Sequence, residues 1–398
     1  MGVGWRRLVA GLTAGGVLLT AGCASFSDQP EEWRPQDQVT PQSAPEPQVP
    51  GENDGGPGGG GGGAGGQRQP RPSDIRPPEG CTDFHPAVIG TCMDRVTAVA
   101  ALPGNGNDPT ALVGERATGR ILRVKKDTEP KVVAVAPVDA STGGGLTGLA
   151  LSPTYAEDQL IFAYITTPTD NRLVRIAPGD TPKPVLTGIP RGPSGNRGAL
   201  SVDHRGALLV ATGDAGNPAL ANNPASLAGK VLRVDPSGKP AQGNPDPTSP
   251  IVADGLHSPG GVCASLDGSR MWVTDRGVQR DLLYQLEPGK PLTTPAWSWS
   301  DRPGVAGCVS TPDAVWVAMS TAGNLQNLPL AEDGSFSGKP AVSMAGDEGF
   351  GRLGGMDLVN DQVAVGGTVN KDGGTPVSSD DRAVTIVVTG GNQAGGPD

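Results

Sequence analysis

The sequence is poor in the residues from which most reactive centres are built. Its 398 residues include only 3 His and 5 Cys, with aromatics at 4% and charged residues at 18%. So few imidazoles and thiols argue against a haem or a large metal site. No CxxC pair points to a zinc ribbon or a redox motif. A basic excess is also missing: the net charge of −10 argues against a nucleic-acid binder, which needs a cationic face for phosphates. There is no GxSxG nucleophile elbow and no HExxH pair. Residues 143–148 (GGGLTG) satisfy GxGxxG, but they open a strand pattern with no helix behind it, so a dinucleotide loop is not supported. What the chain has in abundance is Gly (62) and Pro (40), about a quarter of all residues. That density excludes long helices and coiled coils.

The N-terminus reads as an address. Arg6 and Arg7 precede an uncharged, mostly apolar stretch from Leu8 to Leu19, and Thr20-Ala21-Gly22 leads into Cys23. Small residues before a Cys mark a bacterial lipoprotein signal, with cleavage before Cys23 and a diacylglycerol on its thiol. The run is too short and too rich in Gly for a membrane-spanning helix. Residues 24–78 contain 11 Gly and 11 Pro and no apolar periodicity, so they are expected to form a disordered tether. As a flexible coil it would span roughly 40 Å. The expected location is the outer face of the cell membrane, lipid-anchored. Export fits the remaining cysteines: Cys81, Cys92, Cys263 and Cys308 allow three pairings. The favoured one is Cys81–Cys92, closing a short loop, with Cys263–Cys308.

Residues 79–398 repeat one phrase: a small or apolar strand, a turn, then a second apolar strand ending in a polar loop. Examples are 146–151 (LTGLAL) with 159–164 (QLIFAY), and 306–309 (AGCV) with 315–318 (VWVA). The second-strand anchors Leu112, Ile161, Leu208, Trp272, Trp316 and Val363 are spaced by 49, 47, 64, 44 and 47 residues. A period near 50 with short strands predicts an all-β, six-bladed β-propeller of four-stranded blades. The long interval carries an extra loop from Pro236 to Pro250. Trp272, Trp297, Trp299 and Trp316 are expected in blade cores, with Trp297 or Trp299 a lesser candidate for the channel mouth.

Several phrases resemble the glucose/sorbosone dehydrogenase family. Residues 145–153 (GLTGLALSP), 196–200 (NRGAL) with 211–217 (ATGDAGN), 229–236 (GKVLRVDP) running on to Asn244-Pro245, 255–262 (GLHSPGGV) and 350–353 (FGRL) follow its motifs in order. The resemblance implies a six-bladed propeller, and in many members pyrroloquinoline quinone (PQQ), here with calcium possible, and oxidation of sugars or alcohols. The departures fall on the chemistry. Gly143 stands where the family has an acidic or amide substrate contact. Gly195 stands where it has the histidine that takes the hydroxyl proton, a role needing an imidazole poised near working pH. Asp214 matches the aspartate that supports that histidine. His257-Ser258 replaces a cofactor-pairing Arg-Asn, whose planar fork a histidine cannot reproduce.

On this reading His257 and Asp214 are the candidate catalytic pair. Asn196, Asn217, Ser258, Asp275 and Arg352 are candidate ligand or cofactor contacts. Each has a plainer role as well. Asp214, Asn196 and Asn217 suit turns, Arg352 could pair with Asp347 or Glu348, and Asp275, Arg276, Arg280 and Asp281 could form a self-paired loop. His204 reads as a turn residue at the opposite end. No clear carboxylate/Asn cluster supports a calcium lactonase. Two functions remain: a degenerate-site binding or interaction module, monomeric, with a carbohydrate or an envelope protein as partner, and a PQQ-dependent dehydrogenase with a rearranged site. The missing base favours the first.

Overall fold

The structure is a computed structural model that describes residues 75–389. Cys23, its signal and most of the tether lie outside the described residues. The described residues form six four-stranded antiparallel sheets. Blade 1 comprises Val96–Ala101, Thr110–Glu115, Arg120–Lys125 and Lys131–Val135. Blade 2 runs from Leu146–Leu151 to Lys183–Ile189, and blade 3 from Gly198–Val202 to Ile251–Asp254. Blade 4 runs from Pro259–Ala264 to Trp297–Trp299, and blade 5 from Val305–Ser310 to Ala341–Ser343. Each begins at the axis and works outward. Neighbouring innermost strands touch in sequence, and that of blade 6 (Leu353–Asn360) touches that of blade 1, so the ring is closed.

The closing device was not anticipated from the sequence. The short strand Val88–Gly90 pairs antiparallel with Ala383–Val387 and supplies the outermost strand of blade 6. Cys81–Cys92 ties this segment together, and the Cys92 and Met93 amides donate to the carbonyls of Ser379 and Asp381 at 2.8 and 3.0 Å. Cys263–Cys308 joins the innermost strands of blades 4 and 5. Both pairings are the expected ones.

Burial explains why the strands read as they do. Second strands such as Ile161–Thr166 and Ala314–Met319 are buried throughout. They are continuous apolar runs because both faces are covered by neighbouring blades. The third strand Arg120–Lys125 alternates toward its outer end, and the fourth, Lys131–Val135, is largely exposed. The core is accordingly divided into six clusters, one between each pair of blades, such as Leu112, Ile121 and Leu146 between blades 1 and 2. Trp272, Trp299 and Trp316 are buried in these cores, and Trp297 sits on the outermost strand of blade 4 against Phe336. No tryptophan reaches the mouth from that strand, so the lesser candidate role for Trp297 or Trp299 does not hold.

At the axis the blades meet backbone to backbone. A Cβ on Gly307 would lie 2.5 Å from the Met356 nitrogen of the next blade, and one on Gly355 would lie 2.7 Å from the Thr97 carbonyl oxygen. Glycine is required there by close approach, which explains part of the composition.

Candidate functional site

Register places the site. Gly198 is opposite Thr212, Pro259 is opposite Asp275 and Val305 is opposite Met319. The loops before the innermost strands and after the second strands therefore share one end of the ring. The loop 255–258 and the turn 213–217 both lie there. The Asp214 amide donates to the His257 carbonyl at 2.9 Å, and His257 Nδ1 lies 2.9 Å from Asp214 Oδ2. Asp214 Oδ1 accepts from the Gly216 amide at 2.8 Å. An ionised carboxylate only accepts, so Nδ1 carries the hydrogen and Nε2 is the nitrogen left for a ligand. The hydrogen bond to Asp214 raises the His257 pKa and outweighs the burial that would lower it.

Asp275 anchors the same loop from below. Its carboxylate accepts from the His257 amide at 3.0 Å and the Ser258 amide at 2.6 Å. Burial nevertheless pushes its pKa up to about 6. Asp275 is thus a loop clamp and not a member of a self-paired acidic loop. Asp281 instead accepts from the Gly304 and Val305 amides at 2.6 and 3.1 Å.

Asn196 is fully buried. Its Nδ2 donates to Thr142 Oγ1 and the Gly192 carbonyl at 2.9 and 2.8 Å, and its Oδ1 accepts from the Gly192 amide at 2.9 Å. Those bonds occupy it as a loop brace. Asn217 caps the short 3-10 turn Pro218–Leu220 through the Ala219 amide. Asn196 and Asn217 therefore take the plainer of their two expected roles. His204 lies in the turn after Asp203, whose Oδ1 accepts the Arg205 and Ala207 amides.

Arg352 does not pair with Asp347 or Glu348, which are exposed on a separate 3-10 turn. Its amide donates to Asn370 Oδ1 at 2.7 Å and its Nη1 to the Asp372 carbonyl at 3.0 Å. With Arg197, Arg276, Thr97, Ser320, Thr321 and Asp372 it lines a recess of about 60 Å³ on the axis. Arg276 Nε donates to the Val305 carbonyl at 2.9 Å and Nη2 to Ser320 Oγ at 2.5 Å. Reasoning from sequence missed Arg197. Its signal was a charged residue directly before the buried strand Gly198–Val202, between Asn196 and the glycine of the quoted phrase.

The pattern of the Glucose / Sorbosone dehydrogenase family matches residues 94–302, more than half of the chain. The chain belongs to this family. An uncharacterized Synechocystis protein is 31% identical over 248 residues, covering 51% of this chain and 59% of the relative. The chain thus spans under two thirds of that relative's length. Among solved structures, the PQQ-bound aldose sugar dehydrogenase of Streptomyces coelicolor is 29% identical, with a TM-score of 0.69 over 75% of this chain and 95% of that one. An oxidoreductase (glucose dehydrogenase) of Thermus thermophilus is 26% identical, with a TM-score of 0.67 over 75% and 98%. The expected family and fold are both borne out.

Three buried or half-buried groups set a pH dependence for this family member. Burial holds Asp275 and Asp357 up at about 6 each, and Asp214 holds His257 up. A group whose pKa is higher in the folded state stabilises the fold fully below its unfolded pKa, and that contribution fades as pH rises through the folded value. All three therefore favour acid. The opposite limb comes from carboxylates such as Asp267, which the Ser265 hydroxyl and Ser269 draw down to about 2, and whose contribution is lost as pH falls. Stability is expected to fall by roughly 2–3 kcal/mol between pH 5 and pH 7, as read from urea midpoints across pH. Asp357→Asn is expected to flatten the alkaline limb.

Proposed function

We propose that this protein is a ligand-binding module on a dehydrogenase frame, held at the outer face of the cell membrane through Cys23, and that it has lost quinone-dependent catalysis. The lipoprotein-type signal and the Gly/Pro-rich tether support the anchoring. The observation that carries the loss of catalysis is Gly195. It occupies the position of the family's base with φ +62°, and a Cβ there would meet Asp214 Oδ1 at 2.5 Å and the Gly216 nitrogen at 2.7 Å. The backbone has closed over the space an imidazole would need.

The fit of PQQ can be tested on the same residues. The axial arginines suit a polycarboxylate in charge. The recess they line holds only about 60 Å³, against roughly 300–1,000 Å³ for pockets that bury ligands of that class. The side chain at 257, where the family pairs its cofactor with arginine, is bound to Asp214 instead. These residues do not fit the quinone. One observation supports the second reading, a PQQ-dependent sugar or alcohol dehydrogenase: Asp214 has recovered a histidine from the adjacent blade. There His257 would take the hydroxyl proton and Asp214 would orient it.

Calorimetric titration of the full-length protein with PQQ, with and without calcium, separates the two. No binding at micromolar concentration is expected. Micromolar or tighter binding that brings dye-linked sugar oxidation, lost in His257→Ala, would overturn the binding-module reading. If the module reading holds, its partners are a carbohydrate or an envelope protein, engaged by a monomer at this end of the ring.

A further inference from the structure

The arginines at the axis come from different blades and converge on one recess. Arg197 precedes the innermost strand of blade 3, Arg276 ends the second strand of blade 4 and Arg352 precedes the innermost strand of blade 6. Arg116, after the second strand of blade 1, stands close enough to repel Arg197. Asp372 is the one carboxylate lining the recess. It is already engaged, with Arg116 Nη2 at 3.2 Å from its Oδ1. Arg276 is fixed by two carbonyls and the Ser320 hydroxyl; burial lowers its pKa even though Asp281 and Asp372 offset part of its charge. Arg197 Nε is buried with no hydrogen-bond partner, and so is Arg116 Nε. Repulsion from Arg276 comes first, with burial and Arg116 behind it, in pushing the Arg197 pKa down to about 9. Arginine rarely answers such a site by releasing its proton. What relieves the repulsion is a counter-charge.

We propose that Arg197, Arg276 and Arg352 form a small-oxyanion site at the mouth of the axial channel, taking an inorganic phosphate or sulfate, or the carboxylate of a small acid. The recess volume suits a ligand of that size. Guanidiniums are the groups best matched to oxyanions, since their planar forks offer paired, charge-assisted hydrogen bonds. The Thr321 and Ser320 side chains line the same recess. The partner fixing Arg276 through Ser320 means that little ordering is left to do on binding. The site rests on the binding-module reading in that a small anion occupies the axis where the family's relatives would place a cofactor. Its chemistry is its own: three guanidiniums from different blades line one small recess.

The test is thermal unfolding of the full-length protein at constant ionic strength, exchanging chloride for phosphate, sulfate or acetate. A saturable rise of about 3 °C or more is expected for at least one oxyanion, as an anion binding only the folded state requires. A larger effect from phosphate and sulfate identifies a tetrahedral anion as the ligand, and a larger effect from acetate identifies a carboxylate. Arg197→Met is expected to abolish the rise and to increase the midpoint in chloride alone, because it removes a charge that Arg276 and Arg116 repel. A merely structural arginine would lower that midpoint. If Arg197→Met does not fold, Arg352→Gln serves, with the oxyanion effect lost and the chloride midpoint little changed. No saturable rise with any of the three anions, or a rise retained in the variants, overturns the site. That failure is distinct from failure of the binding-module reading, which only tight PQQ binding with turnover would bring.

Discussion

Gly307→Val is expected to destabilise the propeller by about 3–5 kcal/mol, seen as a large fall in the urea midpoint, while Gly104→Val changes it by less than about 0.5 kcal/mol. Neither residue has a left-handed backbone, so the difference isolates packing. A Cβ at 307 would meet the Met356 nitrogen at 2.5 Å and the Gly354 oxygen at 2.8 Å. Those atoms belong to the innermost strand of blade 6, which is hydrogen-bonded to Val363–Thr368 and cannot retreat alone. A Cβ at 104 has nothing nearer than 3.9 Å. Interiors are packed too densely to absorb such a clash by small shifts. The same approach recurs at Gly261, whose Cβ would lie 2.8 Å from the Cys308 nitrogen. Closing six blades at this radius therefore depends on glycine at the axis. An equal effect of both substitutions would show that the blades are not seated this closely.

The parts of this architecture that are periodic were legible in the sequence. Second-strand anchors such as Trp272 and Trp316 are buried on both faces, and strands of that kind announce themselves as apolar runs at a regular interval. The strand Val88–Gly90 was not legible. It has three residues, and its partners around Val384 lie almost the whole domain away, so no local pattern records the pairing. The pair formed by Asp214 and His257 could be named from the family phrases, because both sit at fixed offsets from recognisable strands. Contacts made across the ring were harder. Arg352 has acidic neighbours at Asp347 and Glu348, and sequence proximity suggested those partners. The fold instead turns Arg352 to the axis beside Asp372. Arg197, Arg276 and Arg352 are far apart in the chain and meet only because three different blades end at one point. Propeller geometry predicts that polar loops gather there, but not which charges face one another without a partner.

Placing a histidine at position 195 is not expected to bring dehydrogenase chemistry to this chain. Gly195→His is expected to yield no detectable dye-linked sugar oxidation in the presence of PQQ and calcium, and to cost about 2–4 kcal/mol of stability. Gly195→Ala is expected to cost nearly as much, since the obstruction begins at Cβ. Two causes add. At φ +62° an L residue is strained. The Cβ would also sit 2.7 Å from the Gly216 nitrogen, a backbone atom in a turn that Asp214 itself closes. Relief would require the turn 213–217 to open, which breaks the contact between Asp214 and the His257 loop. The aspartate that would orient the new imidazole is already engaged with His257 at 2.9 Å, so two histidines would compete for one carboxylate. Adding His257→Ala to Gly195→His frees the carboxylate but leaves the strained backbone in place. The double variant is therefore expected to be inactive as well and less stable than either single change. Turnover in it would mean that the turn yields more easily than its packing indicates, and would reopen the dehydrogenase reading at the position where the family keeps its base.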